Sequence, residues 1–378
     1  MAEDLTRKDP SDYGAVCEFM LYLANSPTVL TAFALKFTCG LLGFTLLICV
    51  FVFVKQNQNL HKNANIILYA HYTLTLVASF GVSFNDGFDL FRLTVFRREQ
   101  VSIIIIYFGK HREQEVSIVT DSDCGLFSMP AYIGVWCRLV TFCGNAGSCL
   151  TITALAIERS YATFYAKTYE KRGNKNLGVV LSILCIFACF FIAAFIGSSA
   201  NFGRHLPMQS LTPEAVHRTA IVADVLTVIE FFNAIIFAVL WLLNFLWKKH
   251  TNRIFATLTH KYQRQENMRS VTILLPLAVL HLTISITAFL LTEIGSMYAH
   301  TNQEVLFVII TRDIYPLYDF LLPVYLLCYE FKKRKVTNYD NKNDSFMAKM
   351  GVNISQEQDG HFEMLKNMFD AQFDKRAA

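Results

Sequence analysis

The chain contains seven apolar stretches, each long enough to cross the hydrocarbon core of a membrane, which takes about 20 helical residues. A segment in lipid must satisfy its own backbone hydrogen bonds, so each stretch is predicted to be an α-helix. Charged residues make up only 17% of the chain, against about 25% in soluble domains. We therefore predict an all-α membrane protein, a seven-transmembrane helix bundle. The predicted spans are Phe33–Val54, Ala64–Phe84, Phe127–Ile157, Leu177–Ala200, Ala220–Trp247, Val271–Leu291 and Val305–Cys328.

The distribution of lysine and arginine predicts the orientation of the bundle. The segment after the last span begins with the basic run Lys332–Lys335, whereas the loop at 292–304 contains neither residue type. Basic residues concentrate on the cytoplasmic side, so the N-terminus is predicted outside the cell and the C-terminus inside. The long first outer loop is also basic, but long loops carry less weight in this rule. The predicted division is an extracellular N-terminal segment at 1–32, the bundle at 33–328 with its outer loop at 85–126, and a cytoplasmic tail at 329–378.

The predicted outer loop contains an internal repeat. The sequence Arg98–Ile103 returns with one added residue as Arg112–Ile118. The apolar run within it, Val101–Phe108, is too short to span a membrane. A small duplication or a misdrawn exon boundary explains this pattern better than a functional element does.

No catalytic constellation is present in the sequence. It lacks the nucleophile, zinc-protease, phosphate-loop and paired-cysteine motifs, and His71 and His281 stand alone within predicted helices. Such histidines are more often packing or hydrogen-bonding residues than metal ligands. We expect no enzymatic activity, no cofactor and no metal site. The basic residues lie between apolar runs, so no nucleic-acid partner is expected either.

Three charged residues inside the predicted spans indicate a ligand pocket. A charge at the centre of a membrane helix costs roughly 2.5–3.5 kcal/mol on insertion scales and usually faces the interior of a bundle. Arg138, Glu230 and Asp313 all fall in the outer or middle layer of their spans. We expect Arg138 to line a cavity open to the outside and to pair with Asp313 or Glu230 when the cavity is empty. The alternative is a permanent structural ion pair.

Two cysteines are expected on the extracellular side, Cys17 and Cys124. The topology therefore predicts a disulfide that ties the N-terminal segment to the start of the third span. Closing a loop of that size could stabilise the fold by roughly 4–5 kcal/mol in the chain-entropy model. The second outer loop, 201–219, has no cysteine, so no bridge to it can form.

An acid–arginine pair, Glu158-Arg159, lies at the inner end of the third span. An arginine there can hold the inner halves of the helices together, and its release would open a cytoplasmic cavity. Glu158 or Glu266, the latter just before the sixth span, is the expected resting partner. The alternative is an ordinary interfacial ion pair that reaches water.

Several motifs together resemble the nematode seven-transmembrane chemoreceptors of the Sra superfamily, and most of all the serpentine receptor class alpha/beta (Srab) group. The resemblance covers the chain from about residue 15 to 335. The motifs are Leu60-His61-Lys62-Asn63, Cys124, Cys137-Arg138, Ala156-Ile157-Glu158-Arg159-Ser160-Tyr161-Ala162-Thr163, Lys167-Thr168-Tyr169-Glu170-Lys171 and Leu322-Pro323-Val324-Tyr325.

This resemblance implies a G-protein-coupled chemosensory receptor of the cell membrane, expressed in sensory neurons. Its expected partners are an extracellular small-molecule ligand and a heterotrimeric G protein, with Arg159 governing the coupling. Two other classes remain open: an ion channel or transporter of seven-helix topology, and a non-signalling membrane adaptor. The halves of the chain show no convincing repeat of the kind that transporters often contain.

Overall fold

The fold was analysed in a computed structural model. It describes residues 20, 22–53, 61–108, 129–165, 176–202, 205–206, 213–251, 258–298 and 314–349.

Long α-helices account for nearly all of the described residues. Six of them contain a stretch that is long and apolar enough to cross a membrane, namely Pro27–Val52, Lys62–Val95, Ala131–Phe164, Asn176–Gly197, Ala215–Trp247 and Glu266–Leu291. The helices are α1 (Pro27–Phe53), α2 (Lys62–Phe108), α3 (Ala131–Phe164), α4 (Asn176–Gly197), α5 (Pro213–Thr251), α6 (Leu258–Tyr298) and α7 (Tyr315–Lys349).

Helix α3 is the central element of the bundle. It contacts α2, α4, α5 and α6, while α2 also packs on α1 and α4, and α5 packs on α6. The chain divides into two units, Met1–Val324 and Tyr325–Ala378. The first unit holds the bundle described here. The described part of the second unit is helical as far as Lys349.

Polar and apolar side chains are distributed as in a membrane protein rather than a soluble one. Phe190 and Phe191 of α4 are 69% and 75% exposed, whereas His71 of α2 and Asp319 of α7 are fully buried. Exposed phenylalanines on α4 and α5 would be costly in water and are favourable against lipid chains. Buried polar groups are tolerated where neighbouring helices supply partners. The membrane-spanning, all-α character predicted from the sequence is therefore confirmed.

Glycine allows α2 and α3 to approach closely at one position. A Cβ atom built on Gly144 would lie 2.6–2.7 Å from the backbone nitrogen, Cα and Cβ of Ala78 in α2. Real Cβ atoms do not approach backbone so closely. Small residues at such crossings let membrane helices gain van der Waals contact and interhelical hydrogen bonds.

Replacing Gly144 by alanine should therefore destabilise the bundle, because α2 and α3 must move apart. We expect a loss of about 1–3 kcal/mol, the usual cost of overpacking, seen as a lower unfolding temperature of the detergent-solubilised protein. Gly197→Ala is the matched control, since its Cβ would meet Leu139 Cδ1 at an ordinary 3.5 Å. Equal unfolding temperatures for the two variants would contradict the close crossing.

A short antiparallel strand pair joins two connections at one end of the bundle. Strand β1 (Met129–Pro130) precedes α3, and β2 (His205–Leu206) follows α4. Met129 pairs with Leu206, and Pro130 pairs with His205. Backbone hydrogen bonds thus tie the loop after α4 to the start of α3. A disulfide cannot make this connection, because the loop contains no cysteine.

Helix α2 extends beyond the end predicted for the second span. The sequence placed an outer loop from residue 85, but the helix continues through Asp86 and Asp89 to Phe108. Those acids lower the apolar character of the segment without breaking the helix, because neighbouring side chains compensate their charges within the bundle. The seventh predicted span, Val305–Cys328, is described only from residue 314, and α7 begins at Tyr315.

Candidate functional site

Buried polar side chains form three groups along the bundle, one near each end of α3 and one between them. We name them the Arg159 cluster, the central network and the Arg138 cluster. At the helical rise of 1.5 Å per residue, Arg138 and Arg159 are about 30 Å apart along α3.

The Arg159 cluster is built on a doubly hydrogen-bonded ion pair. Arg159 Nε and Nη2 donate to Glu158 Oε2 and Oε1, each at 2.5 Å. Both side chains are fully buried. A buried ion pair is stable only when good geometry and further hydrogen bonds compensate its desolvation. The pairing of Glu158 with Arg159, one of the two alternatives that the sequence left open, is present in the structure.

The third guanidinium nitrogen of Arg159 reaches α6. Its Nη1 donates to Asn267 Oδ1 at 3.3 Å and to Ser270 Oγ at 3.2 Å. Asn267 in turn donates through Nδ2 to the backbone oxygen of Ala162 in α3 at 3.3 Å. One amide thus binds both the guanidinium and the backbone of α3, which holds the two helices together.

Glu266, the other predicted partner of Arg159, lies one residue before Asn267 and is half-buried. Its backbone oxygen accepts the hydroxyl of Ser270 at 2.9 Å. Sequence reasoning missed Asn267 and Ser270 because neutral residues give no charge signal. Their spacing of three residues on α6, which places both on one helical face, was the available clue.

His61, immediately before α2, is electrostatically coupled to this cluster. Burial lowers the pKa of His61, and the positive charge of Arg159 lowers that pKa further, partly offset by Glu158. The imidazole is therefore neutral at physiological pH and adds no second cation beside Arg159.

The central network connects α2, α3 and α7 through His71. His71 Nδ1 lies 2.9 Å from Thr151 Oγ1, and its Nε2 lies 3.0 Å from the hydroxyl oxygen of Tyr318. Thr151 directs its own proton to backbone oxygens of α3. It must then accept from His71 Nδ1–H, which leaves Nε2 to accept from the Tyr318 hydroxyl.

The same network continues to α6 and α5. The rings of Tyr318 and His281 meet nearly edge-on with centroids 4.3 Å apart. His281 Nδ1 lies 2.8 Å from Glu230 Oε1, and both side chains are buried. The two histidines, interpreted from the sequence as packing or hydrogen-bonding residues, thus belong to a network that links five helices.

The Arg138 cluster lies between α2 and the first half of α3. Arg138 Nη1 is 3.9 Å from Asp86 Oδ1. A second pair lies on α2, where Arg92 Nη2 donates to Asp89 Oδ1 at 3.1 Å. The sequence singled out Arg138 but not Asp86, because Asp86 fell outside the predicted second span.

The three residues predicted to line a pocket are therefore placed differently. Arg138 contacts Asp86 of α2, and Glu230 contacts His281 of α6. Asp313 lies outside the residues that the structure describes, as do both cysteines of the predicted disulfide, Cys17 and Cys124.

A bundle of apolar helices with a hydrogen-bonded polar interior defines the chain as a polytopic helical membrane protein. It belongs to the serpentine type 7TM GPCR receptor class ab chemoreceptor family, whose model matches residues 14–103 and 122–370. The unmatched interval, 104–121, falls in the region of the internal repeat. The predicted membership of the Srab group is confirmed.

A curated relative is also similar to this chain. Serpentine receptor class alpha/beta-14 of Caenorhabditis elegans is 25% identical over 259 residues, which cover 66% of this chain and 58% of that protein. The match thus spans less than two thirds of the relative's length.

Proposed function

We propose that this chain is a chemosensory receptor that binds an extracellular chemical ligand and activates a heterotrimeric G protein. The observation that carries the proposal is the hydrogen-bonded connection between α3 and α6 through Arg159. Such a contact holds two helices in one arrangement and can be released by a ligand that binds the other arrangement better. The chemoreceptor family to which the chain belongs supports this function. No catalytic role is proposed.

The proposed topology has the N-terminus outside and the C-terminus in the cytoplasm, which places the Arg159 cluster on the G-protein side. The lysine and arginine distribution supports it. Terminal epitope tags test it: an antibody should reach the N-terminal tag on intact cells and the C-terminal tag only after permeabilisation. Expression in sensory neurons is the accompanying expectation, and a promoter reporter would show it.

The proposed ligand pocket lies towards the opposite, extracellular end. Arg138 is its principal residue, and the proposed lining extends inward to Glu230 of the central network, with Asp313 as the third charged residue. The partly exposed guanidinium of Arg138 supports this placement.

We further propose the disulfide between Cys17 and Cys124, which would tie the N-terminal segment to the top of α3. Surface-expressed receptor should yield the Cys17–Cys124 cross-linked peptide in non-reducing mass spectrometry. Recovery of both cysteines as free thiols would exclude the bond.

Loosening the α3–α6 connection tests the function without a known ligand. Asn267→Ala removes the hydrogen bonds to Arg159 and to the Ala162 backbone and should raise basal nucleotide exchange on a co-expressed G protein. Two hydrogen bonds of about 1 kcal/mol each predict an increase of about tenfold or more. Glu266→Ala should also raise basal nucleotide exchange, as Asn267→Ala does.

Thr272→Ala is the matched control on α6. Its exposed hydroxyl bonds only to Met268 O of the same helix among the described residues, so basal exchange should stay at the wild-type level. Unchanged exchange in the Asn267 variant at normal surface density would count against G-protein coupling. Ion currents in oocytes that respond to the same variants would favour the channel alternative instead.

A further inference from the structure

His61 occupies the capping position immediately before α2. Its backbone oxygen accepts the amide of Asn65 at 3.0 Å, and its Nδ1 accepts the amide of Asn63 at 3.4 Å. A side-chain acceptor at this position binds an amide group that the first helical turn leaves without a partner within the helix. Only a neutral imidazole can accept at Nδ1, because a protonated imidazole carries a hydrogen on both ring nitrogens. The start of α2 therefore uses the unprotonated form of His61.

The first turn of α2 is also joined to the first turn of α4. Asn63 Oδ1 accepts the backbone amide of Gly178 at 3.2 Å. The two backbones pass so closely that a Cβ atom built on Gly178 would lie 2.7 Å from the backbone oxygen of Asn63. The residue whose amide His61 accepts thus holds α4 as well, so the cap supports a contact between helices.

A proton on His61 meets unfavourable electrostatic surroundings. The charged groups that act on the imidazole are Arg159 and Glu158 of α3 and Lys62 of α2, and two of these three are cations. The N-terminal end of a helix also disfavours a positive charge. Helix α4 adds no compensating anion, since Asn176–Gly197 contains no acidic or basic residue. Burial lowers the pKa of His61 below its ordinary value of 6.5, and Arg159 and Lys62 lower that pKa further against the opposing effect of Glu158.

We propose that His61 makes the receptor sensitive to cytosolic acid, because a proton bound to its imidazole weakens the cap of α2 and repels Arg159, which loosens the Arg159 cluster and raises signalling. The imidazole is half-buried and lies outside the membrane span that begins at Lys62, so water can deliver the proton. This inference rests on the proposed receptor function and adds a regulation at the same cluster.

The direction of the effect follows from linkage between proton binding and the arrangement of the helices. The closed cluster holds the pKa of His61 below 6.5, and release of Arg159 lets that pKa return towards the ordinary value. The released arrangement therefore binds the proton more tightly, and acid shifts the equilibrium towards it. The shift begins as the pH falls through about 6.5 and is complete below the lowered pKa of the closed arrangement.

Nucleotide exchange at several pH values tests this switch in the full-length receptor. Wild type and His61→Asn are placed in lipid nanodiscs with a purified heterotrimeric G protein and assayed without ligand at pH 7.5, 6.5 and 6.0. Asparagine is a favoured capping residue that cannot be protonated, so this variant keeps the cap and loses the titration. The wild-type rate divided by the His61→Asn rate at the same pH cancels the pH dependence of the G protein itself.

This ratio should rise about two- to fourfold between pH 7.5 and 6.0, with the upper limit set by the ordinary histidine pKa of 6.5. His217→Asn is the control, because it removes an exposed histidine near the start of α5, and it should keep the wild-type pH dependence. A ratio that stays constant over this pH range overturns the proposal.

The unfolding temperature of the solubilised receptor tests the same linkage without a G protein. The unfolded chain binds the proton at the ordinary pKa, so wild type should lose more stability than His61→Asn between pH 7.5 and 6.0. Equal losses in the two proteins also overturn the proposal.

The two proposals can therefore fail separately. A constant exchange ratio together with a normal rise in basal exchange for Asn267→Ala rejects the acid switch and leaves the receptor function standing. A larger acid-induced loss of stability in wild type, with no receptor-dependent exchange at any pH, rejects G-protein coupling and leaves the proton linkage at His61 standing.

Discussion

A receptor that carries glutamine at both positions 158 and 159 should reach the cell surface and fail to activate its G protein. Both side chains of the natural pair are fully buried, and the guanidinium connects the pair to Asn267 and Ser270 of α6. Arg159 is also the residue proposed to govern the coupling, so the double replacement removes the coupling residue itself as well as its connection to α6, without leaving a buried charge. Nucleotide exchange should fall to the level of membranes that lack receptor.

The single variant Arg159→Ala should lose signalling as well, but with a larger cost to the fold. It leaves the Glu158 carboxylate buried without its cation, and breaking a buried pair costs roughly 3–5 kcal/mol. Comparing the single and double variants by surface density and exchange separates a folding defect from a signalling defect. Normal exchange by the double variant at normal surface density would show that Glu158 and Arg159 form only a structural pair.

Glu230 and His281 should behave as one energetic unit in a double-mutant cycle. Glu230→Leu and His281→Leu should each lower the stability of the solubilised bundle by roughly 3–5 kcal/mol, because each leaves a buried polar partner behind. The double variant should recover most of that loss, since two apolar side chains of similar size can replace a buried polar pair at little cost. The measurement is the unfolding temperature of all four proteins under the same conditions.

Asp224→Leu is the control for this cycle, because it removes an exposed carboxylate from the same helix as Glu230. Its unfolding temperature should differ little from that of the wild type. Losses that simply add in the double variant would mean that the 2.8 Å contact between His281 and Glu230 contributes no coupling energy.

The central network explains why the Glu230 and His281 substitutions should lower the stability strongly. His71, Tyr318, His281 and Glu230 come from four helices, and their contacts form an uninterrupted chain. In a medium without water, each group that loses its partner pays the full cost of desolvation. A substitution at one member should therefore leave a costly unpaired group on a neighbouring helix.

The helical membrane fold was predictable from the sequence, because a spanning helix satisfies its backbone locally and needs only a sufficient apolar length. The family was predictable from short motifs such as the one around Glu158 and Arg159. The end of α2 was not predictable from the sequence, because Asp86 and Asp89 resemble loop residues when their partners are unknown. Their burial beside Arg138 and Arg92 compensates the charges and lets the helix continue.

The partners of the charged side chains were decided only by tertiary structure. The sequence identified Arg138, Glu230 and Arg159 as unusual, because a charge inside a span is costly whatever surrounds it. Asp86, His281 and the pair Asn267 and Ser270 became their partners through the rotation and proximity of helices far apart in the chain. Hydropathy measures the cost of a charge in one helix, whereas pairing depends on which face of another helix stands opposite.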